Sequence, residues 1–117
     1  MPENDCLFCR IIAGEIPAEK VYENEGSLAF KDIHPQAPVH LLVIPKVHYA
    51  AVHEVPDDQM TIMADLYRTV SAVVREQNLA AKGGYRLVIN AGPKAGQAVG
   101  HIHVHILSGR KLTWPPG

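Results

Sequence analysis

Seven histidines in 117 residues are the compositional outlier of this chain, and three of them alternate with aliphatic residues in the run His101-Ile102-His103-Val104-His105. On a β-strand successive side chains point to opposite faces, so His101, His103 and His105 share one face while Ile102, Val104 and Ile106 share the other. The aliphatic set ties the strand to a core, and the imidazoles face a cleft or solvent. An imidazole, with an unperturbed pKa of about 6.5, is a nucleophile and an acid/base near neutrality. Crowding three together discourages their being charged at once. At about 6.7 Å per step the row spans about 13 Å, so one metal ion could take two neighbours but hardly all three. One histidine here would read as decoration of a wet strand face; three in strict alternation favour a site.

The loop before this run, residues 90–100, carries Gly92, Gly96 and Gly100, which let backbone N–H groups approach an anion closely. Most such loops bind nothing, but this one delivers its backbone to the mouth of the histidine row. At the other end of the chain, Cys6-x-x-Cys9 is open to three readings: a metal half-site, a redox dithiol or two incidental thiols. A thioredoxin-like site expects the motif after a strand at a helix start, and here it follows only a polar terminus. His34 and His53 read as exposed turn residues.

The elements that must position these groups follow from periodicity. Residues 7–13 suit a short helix ended by Gly14 as a left-handed cap. Residues 20–23 and 27–31 read as a hairpin around the turn at 23–26. Residues 40–44, bounded by prolines, read as a buried strand. From 57 to about 78, Met60, Met63, Leu66, Tyr67, Val70, Val73 and Val74 recur every three or four positions and predict one buried helix face, with Asp57 and Asp58 at its positive end. Residues 85–89 and the histidine run supply two more strands. The sum is α+β: an antiparallel sheet of about five strands with one long helix and a short N-terminal helix.

A chain of this length, 47% apolar and 20% charged, suits one domain over residues 1–117 with one core. A formal charge of −1 provides no basic field for polymeric nucleic acid. The acidic start lacks a signal-peptide apolar region, and no run approaches the roughly 20 apolar residues of a membrane span. Two cysteines alone suit a reducing compartment, and a cytoplasmic protein is expected.

The run at residues 101–107 resembles the His-x-His-x-His-x-x signature of the histidine triad (HIT) superfamily, and the resemblance extends over nearly the whole chain. Asn90…Gly96-Gln97 is similar to that family's phosphate loop, Phe30-Lys31-Asp32-Ile33 to its ribose and base strand, and residues 40–46 to its central strand. The ending Trp114-Pro115-Pro116-Gly117 is similar to the nucleoside phosphoramidase (Hint) branch. The resemblance implies a symmetric homodimer with a continuous ten-stranded sheet. It implies hydrolysis of purine nucleoside phosphoramidates or aminoacyl adenylates, AMP conjugates among them, through a nucleotidyl-histidine intermediate. His103 is then the nucleophile, His105 hydrogen-bonds a nonbridging phosphate oxygen, and His40 supports the histidine group. Asp32 takes the ribose hydroxyls, Phe30, Ile33 and Leu42 line the base pocket, and Asn90, Gly96, Gln97 and the backbone of Ala98 meet the phosphate. Trp114 reaches toward the partner's pocket. No organic cofactor is implied, but a structural zinc is, held by Cys6, Cys9, His48 and His101.

One departure touches mechanism. The position after Gln97 is commonly Ser or Thr in the family, and here it is Ala98, so turnover of amine leaving groups is expected to suffer more than binding. A dinucleoside polyphosphate hydrolase and a low-turnover nucleotide- or partner-binding module are the competing readings.

Overall fold

The computed structural model describes residues 5–117; most of the acidic start lies outside the described residues. Helix α1 (Leu7–Ile12) is followed by strands β1 (Lys20–Glu23), β2 (Ser27–Lys31) and β3 (Val39–Pro45), helix α2 (Thr61–Glu76), and strands β4 (Tyr85–Val88) and β5 (Val104–Ser108). The five strands form one sheet in the order β1-β2-β3-β5-β4, every neighbouring pair antiparallel. The expected α+β architecture is the observed one. The β1–β2 turn is fastened by Asn24, whose Oδ1 accepts from the N–H groups of Gly26 and Ser27.

Period-two burial divides the sheet into two covered faces. Ala29, Leu41, Val43, Val104 and Ile106 pack with Leu66, Val70 and Val73 of α2. Burying each large aliphatic side chain there contributes about 1.5–3 kcal/mol. Leu28, Phe30, Leu42 and Ile44 point the other way and pack with Cys6, Phe8 and Ile11 of the α1 segment. His103 and His105 emerge on this second face.

Three expectations shift. The long helix begins at Thr61, because Asp57–Gln59 after Pro56 form a separate 3-10 turn, so the two aspartates precede the helix. Met60 and Tyr67 are exposed, and Thr69 takes a place on the buried face instead. The last strand begins at Val104 rather than His101. Val104 pairs with Val43, and two pairs further on Ile102 would face Pro45, which has no N–H to give; Ile102 donates to the carbonyl of Tyr49 instead.

Candidate active site and metal centre

The registers align Phe30 of β2 with Leu42 of β3 and Leu42 with His105 of β5, giving a row across the sheet that ends on an imidazole. Above this row opens a cavity of about 300 Å³. Phe30, Asp32, Ile33, Leu42, Ala98, His103 and His105 all line it. The opposite wall, which the sequence reading missed, is α1 and the turn after it: Leu7, Phe8, Ile11, Ile16, Pro17 and Ala18. The signal was present in the i, i+3 spacing of Phe8 and Ile11 beside that of Cys6 and Cys9.

Hydrogen bonds assign the ring protons of the row. His103 Nδ1 lies 2.7 Å from the carbonyl oxygen of His101, which can only accept, so Nδ1 carries the proton and Nε2 keeps a lone pair. His40 Nδ1 accepts from the backbone N–H of Gln36 at 3.0 Å, so His40 carries its proton on Nε2. That proton points at His105 Nδ1, 2.9 Å away, with an Asp32 carboxylate oxygen at 3.4 Å. His105 therefore keeps its own proton on Nε2. Of the pair of imidazoles in the cavity, one keeps a lone pair on Nε2 and the other carries a proton there.

The same ring protons decide whether this corner can hold a cation. Asp32, His40 and His105 place one ligand atom each within 4.8 Å of one another, a set that could hold a cation. The Gln36 amide forbids it, because a neutral His40 protonated on Nε2 has no lone pair to give at that atom. Burial holds His40 and His103 below the ordinary imidazole range, opposed in both by the Asp32 charge and in His103 also by the His101 carbonyl. Burial also pushes His105 down to about 4, helped by the charges of His103 and His40. At neutral pH the row is uncharged, which explains how it tolerates burial: His103 is 5% exposed and His101 fully buried, not facing solvent.

The glycine loop folds around a short 3-10 turn, Pro93–Ala95, with Gly92 at φ +91° and Gly96 at φ +92°, where a side chain would be strained. Gln97 does not reach into the cavity. Its amide donates to the carbonyls of Ala50 and Val99 and its oxygen accepts from Gly92 N–H, so it braces the loop. Among the described residues, the Ala98 backbone N–H and the Asn90 carboxamide meet no partner. Trp114 is 81% exposed on the tail and lies outside the cavity of its own chain. His34 and His53 are exposed, as expected.

Behind the row, Cys6, Cys9, His48 and His101 bring one ligand atom each within 4.8 Å of the others. Tetrahedral zinc, with Zn–S of about 2.3 Å and Zn–N of about 2.0–2.1 Å, requires S···N edges of about 3.6 Å and N···N edges of about 3.3 Å. The observed edges are 3.4 Å from Cys6 Sγ to His101 Nδ1, 3.2 and 3.6 Å from Cys9 Sγ to His48 and His101 Nδ1, and 3.1 Å between the two Nδ1 atoms. His101 Nε2 donates to the Pro45 carbonyl at 2.8 Å, which leaves Nδ1 bare toward the cluster. Cys6 Sγ accepts from Cys9 N–H, which suits a thiolate. The four residues fit a closed metal shell.

A family model described as HIT domain matches residues 13–112. A 14 kDa zinc-binding protein of Zea mays is 43% identical over 119 residues, covering 100% of this chain and 91% of its own. The adenylylsulfatase HINT1 of Arabidopsis thaliana is 42% identical over 117 residues, covering 98% of this chain and 78% of its own. The crystal structure of a HIT family hydrolase from Legionella pneumophila superposes with a TM-score of 0.91 at 49% identity, covering 97% of this chain and 100% of that one.

Proposed function

The chain belongs to the HIT domain family, and from that premise we propose that it hydrolyses purine nucleotide conjugates, nucleoside phosphoramidates or aminoacyl adenylates, through a nucleotide carried on His103. The observation that carries this reading is the His103 ring, pinned through Nδ1 to the His101 carbonyl with its Nε2 lone pair in an apolar cavity. In the first step Nε2 attacks the α-phosphorus, a P–N bond forms, and the bond to the leaving nitrogen or oxygen breaks with its electron pair on the leaving atom. In the second, water attacks phosphorus and gives up a proton that, through solvent, balances the charge of the departed group, and the electron pair of the P–N bond returns to His103, releasing the nucleoside monophosphate.

The surrounding groups take matching roles. His105 Nε2–H, held as a donor through His40, meets a nonbridging oxygen as charge develops there. Phe30, Ile33 and Leu42 sandwich the purine against α1. Asp32 uses one oxygen on the His34 N–H at 2.8 Å and retains lone pairs for the ribose hydroxyls. Asn90 and the Ala98 N–H receive the phosphate, while Gly96 and Gln97 shape the loop that presents them. Cys6, Cys9, His48 and His101 hold a structural zinc, whose closed shell leaves no position for a reacting water.

Ala98 favours one part of this substrate range. With no hydroxyl at the loop, an amine receives no assistance in leaving, whereas a leaving group that departs as a stable anion needs none. The adenylylsulfatase activity named for the Arabidopsis relative is of that kind, and we extend it to this chain. The dimer is part of the proposal: β4 is an outer strand of the sheet, with Tyr85 and Leu87 exposed on it, and two-fold pairing there would make ten strands. The test is turnover of adenosine phosphoramidate, an aminoacyl adenylate, adenylyl sulfate and diadenosine polyphosphates side by side. Preference for the polyphosphates, or turnover unchanged in His103→Ala, overturns the reading.

A further inference from the structure

The Cys/His cluster and the cavity share one small element. Helix α1 has only six residues, too few to hold their own conformation, so whatever anchors it sets its position. On one side its anchors are Cys6 and Cys9, both in the cluster. On the other, Phe8 turns its ring edge-on to His103, with centroids 5.1 Å apart, to His101 at 5.9 Å and to Phe30 at 5.6 Å. Phe8 thus touches a cluster ligand, the nucleophile and the base pocket at once. A second connection runs through His101, whose Nδ1 faces the cluster while its carbonyl fixes the His103 ring.

We propose that metal occupancy of Cys6, Cys9, His48 and His101 is energetically coupled to nucleotide binding, with α1 and Phe8 as the link. A loaded cluster holds α1 against the sheet and presets both the pocket wall and the nucleophile; an empty one releases the wall, and the nucleotide must reorder it on binding. This inference rests on the cavity being the nucleotide pocket. Coupling between two sites is reciprocal, so AMP must tighten the metal by the factor by which the metal tightens AMP.

The experiment titrates AMP calorimetrically into zinc-loaded protein and into protein stripped by chelation. It also measures zinc affinity by competition with and without AMP. The expected result is a factor of about ten in both directions, within the usual range of such couplings. Cobalt-loaded protein gives a readout that does not depend on the stripped form staying folded: AMP should shift the cobalt–thiolate absorption. Phe8→Leu keeps an apolar side chain but removes the bridging ring, and should bind zinc while the coupling factor falls to what the connection through His101 retains. Equal AMP affinity with and without zinc, or a cobalt spectrum blind to AMP, overturns the coupling and leaves the nucleotide reading standing. Absence of AMP binding in both forms overturns the two together, and a Phe8→Leu protein with the full factor overturns the route through α1.

Discussion

Acidification discriminates between a buried, neutral histidine row and an ordinary one. An imidazole of pKa about 6.5 is about nine-tenths neutral at pH 7.5 and about one-tenth neutral at pH 5.5, so each one required neutral costs about tenfold in rate across that interval. Two would cost about a hundredfold. Burial pushes His105 down to about 4, which leaves it almost wholly neutral at pH 5.5, and burial lowers His103 as well. The acid limb of kcat/KM should therefore lie below pH 6.5, with less than a tenfold loss at 5.5. Folding follows with a definite sign: these groups take up protons in the unfolded chain near 6.5 but in the folded chain only at lower pH. Stability is thus fully present above about 6.5 and declines as pH falls through the folded values. The assay is kcat/KM for a nucleotide with a pH-insensitive leaving group, taken at half-unit steps with a thermal melt and a zinc determination at each. An acid limb centred at or above 6.5 in folded, metal-loaded protein refutes the argument.

Ala98→Ser should raise the rate for amine leaving groups by about ten- to a hundredfold, the worth of one hydrogen bond to developing charge, and leave sulfate-type leaving groups nearly unchanged; an equal effect across a leaving-group series contradicts it. Elemental analysis of protein purified without chelator should find about one zinc per chain, as a closed four-ligand shell demands. Freely titratable thiols with no metal would return Cys6 and Cys9 to incidental status. Light scattering at micromolar concentration should report a dimer, and deletion of residues 112–117 should change substrate selectivity more than melting temperature. A monomer, or an unchanged selectivity profile, rules out a role for Trp114 across a two-fold axis.

The strands were legible because residues 27–31 follow a turn, residues 40–44 form a short apolar run between prolines, and the histidine run alternates with aliphatic residues. The long helix was legible from its stripe, but not its start, since Pro56 and the local turn at Asp57–Gln59 outweigh the attraction of aspartates for a helix end. Alternation placed His103 and His105 on the cavity face, yet it could not tell that His101 turns inward to the cysteines. That depends on Pro45, which ends the ladder and supplies the carbonyl for His101 Nε2. The α1 wall stayed hidden because the i, i+3 spacing of Phe8 and Ile11 shows a helix face but not what it covers, and six residues gain their position from distant anchors. Backbone groups were invisible for a different reason: the Gln36 N–H and the His101 carbonyl set the ring protons of the row, and no residue type announces them.

On the proposed mechanism, a nucleotide passes through a covalent bond to His103. Rapid acid-free quenching of protein mixed with adenylyl sulfate, whose leaving group departs unassisted, followed by intact-mass and peptide mass spectrometry, measures it directly. One adenylyl group per active chain, on the peptide containing His103, formed and lost at rates that account for turnover and absent from His103→Ala, is the result predicted here; steady turnover with no adduct, or with the adduct on another residue, would contradict it.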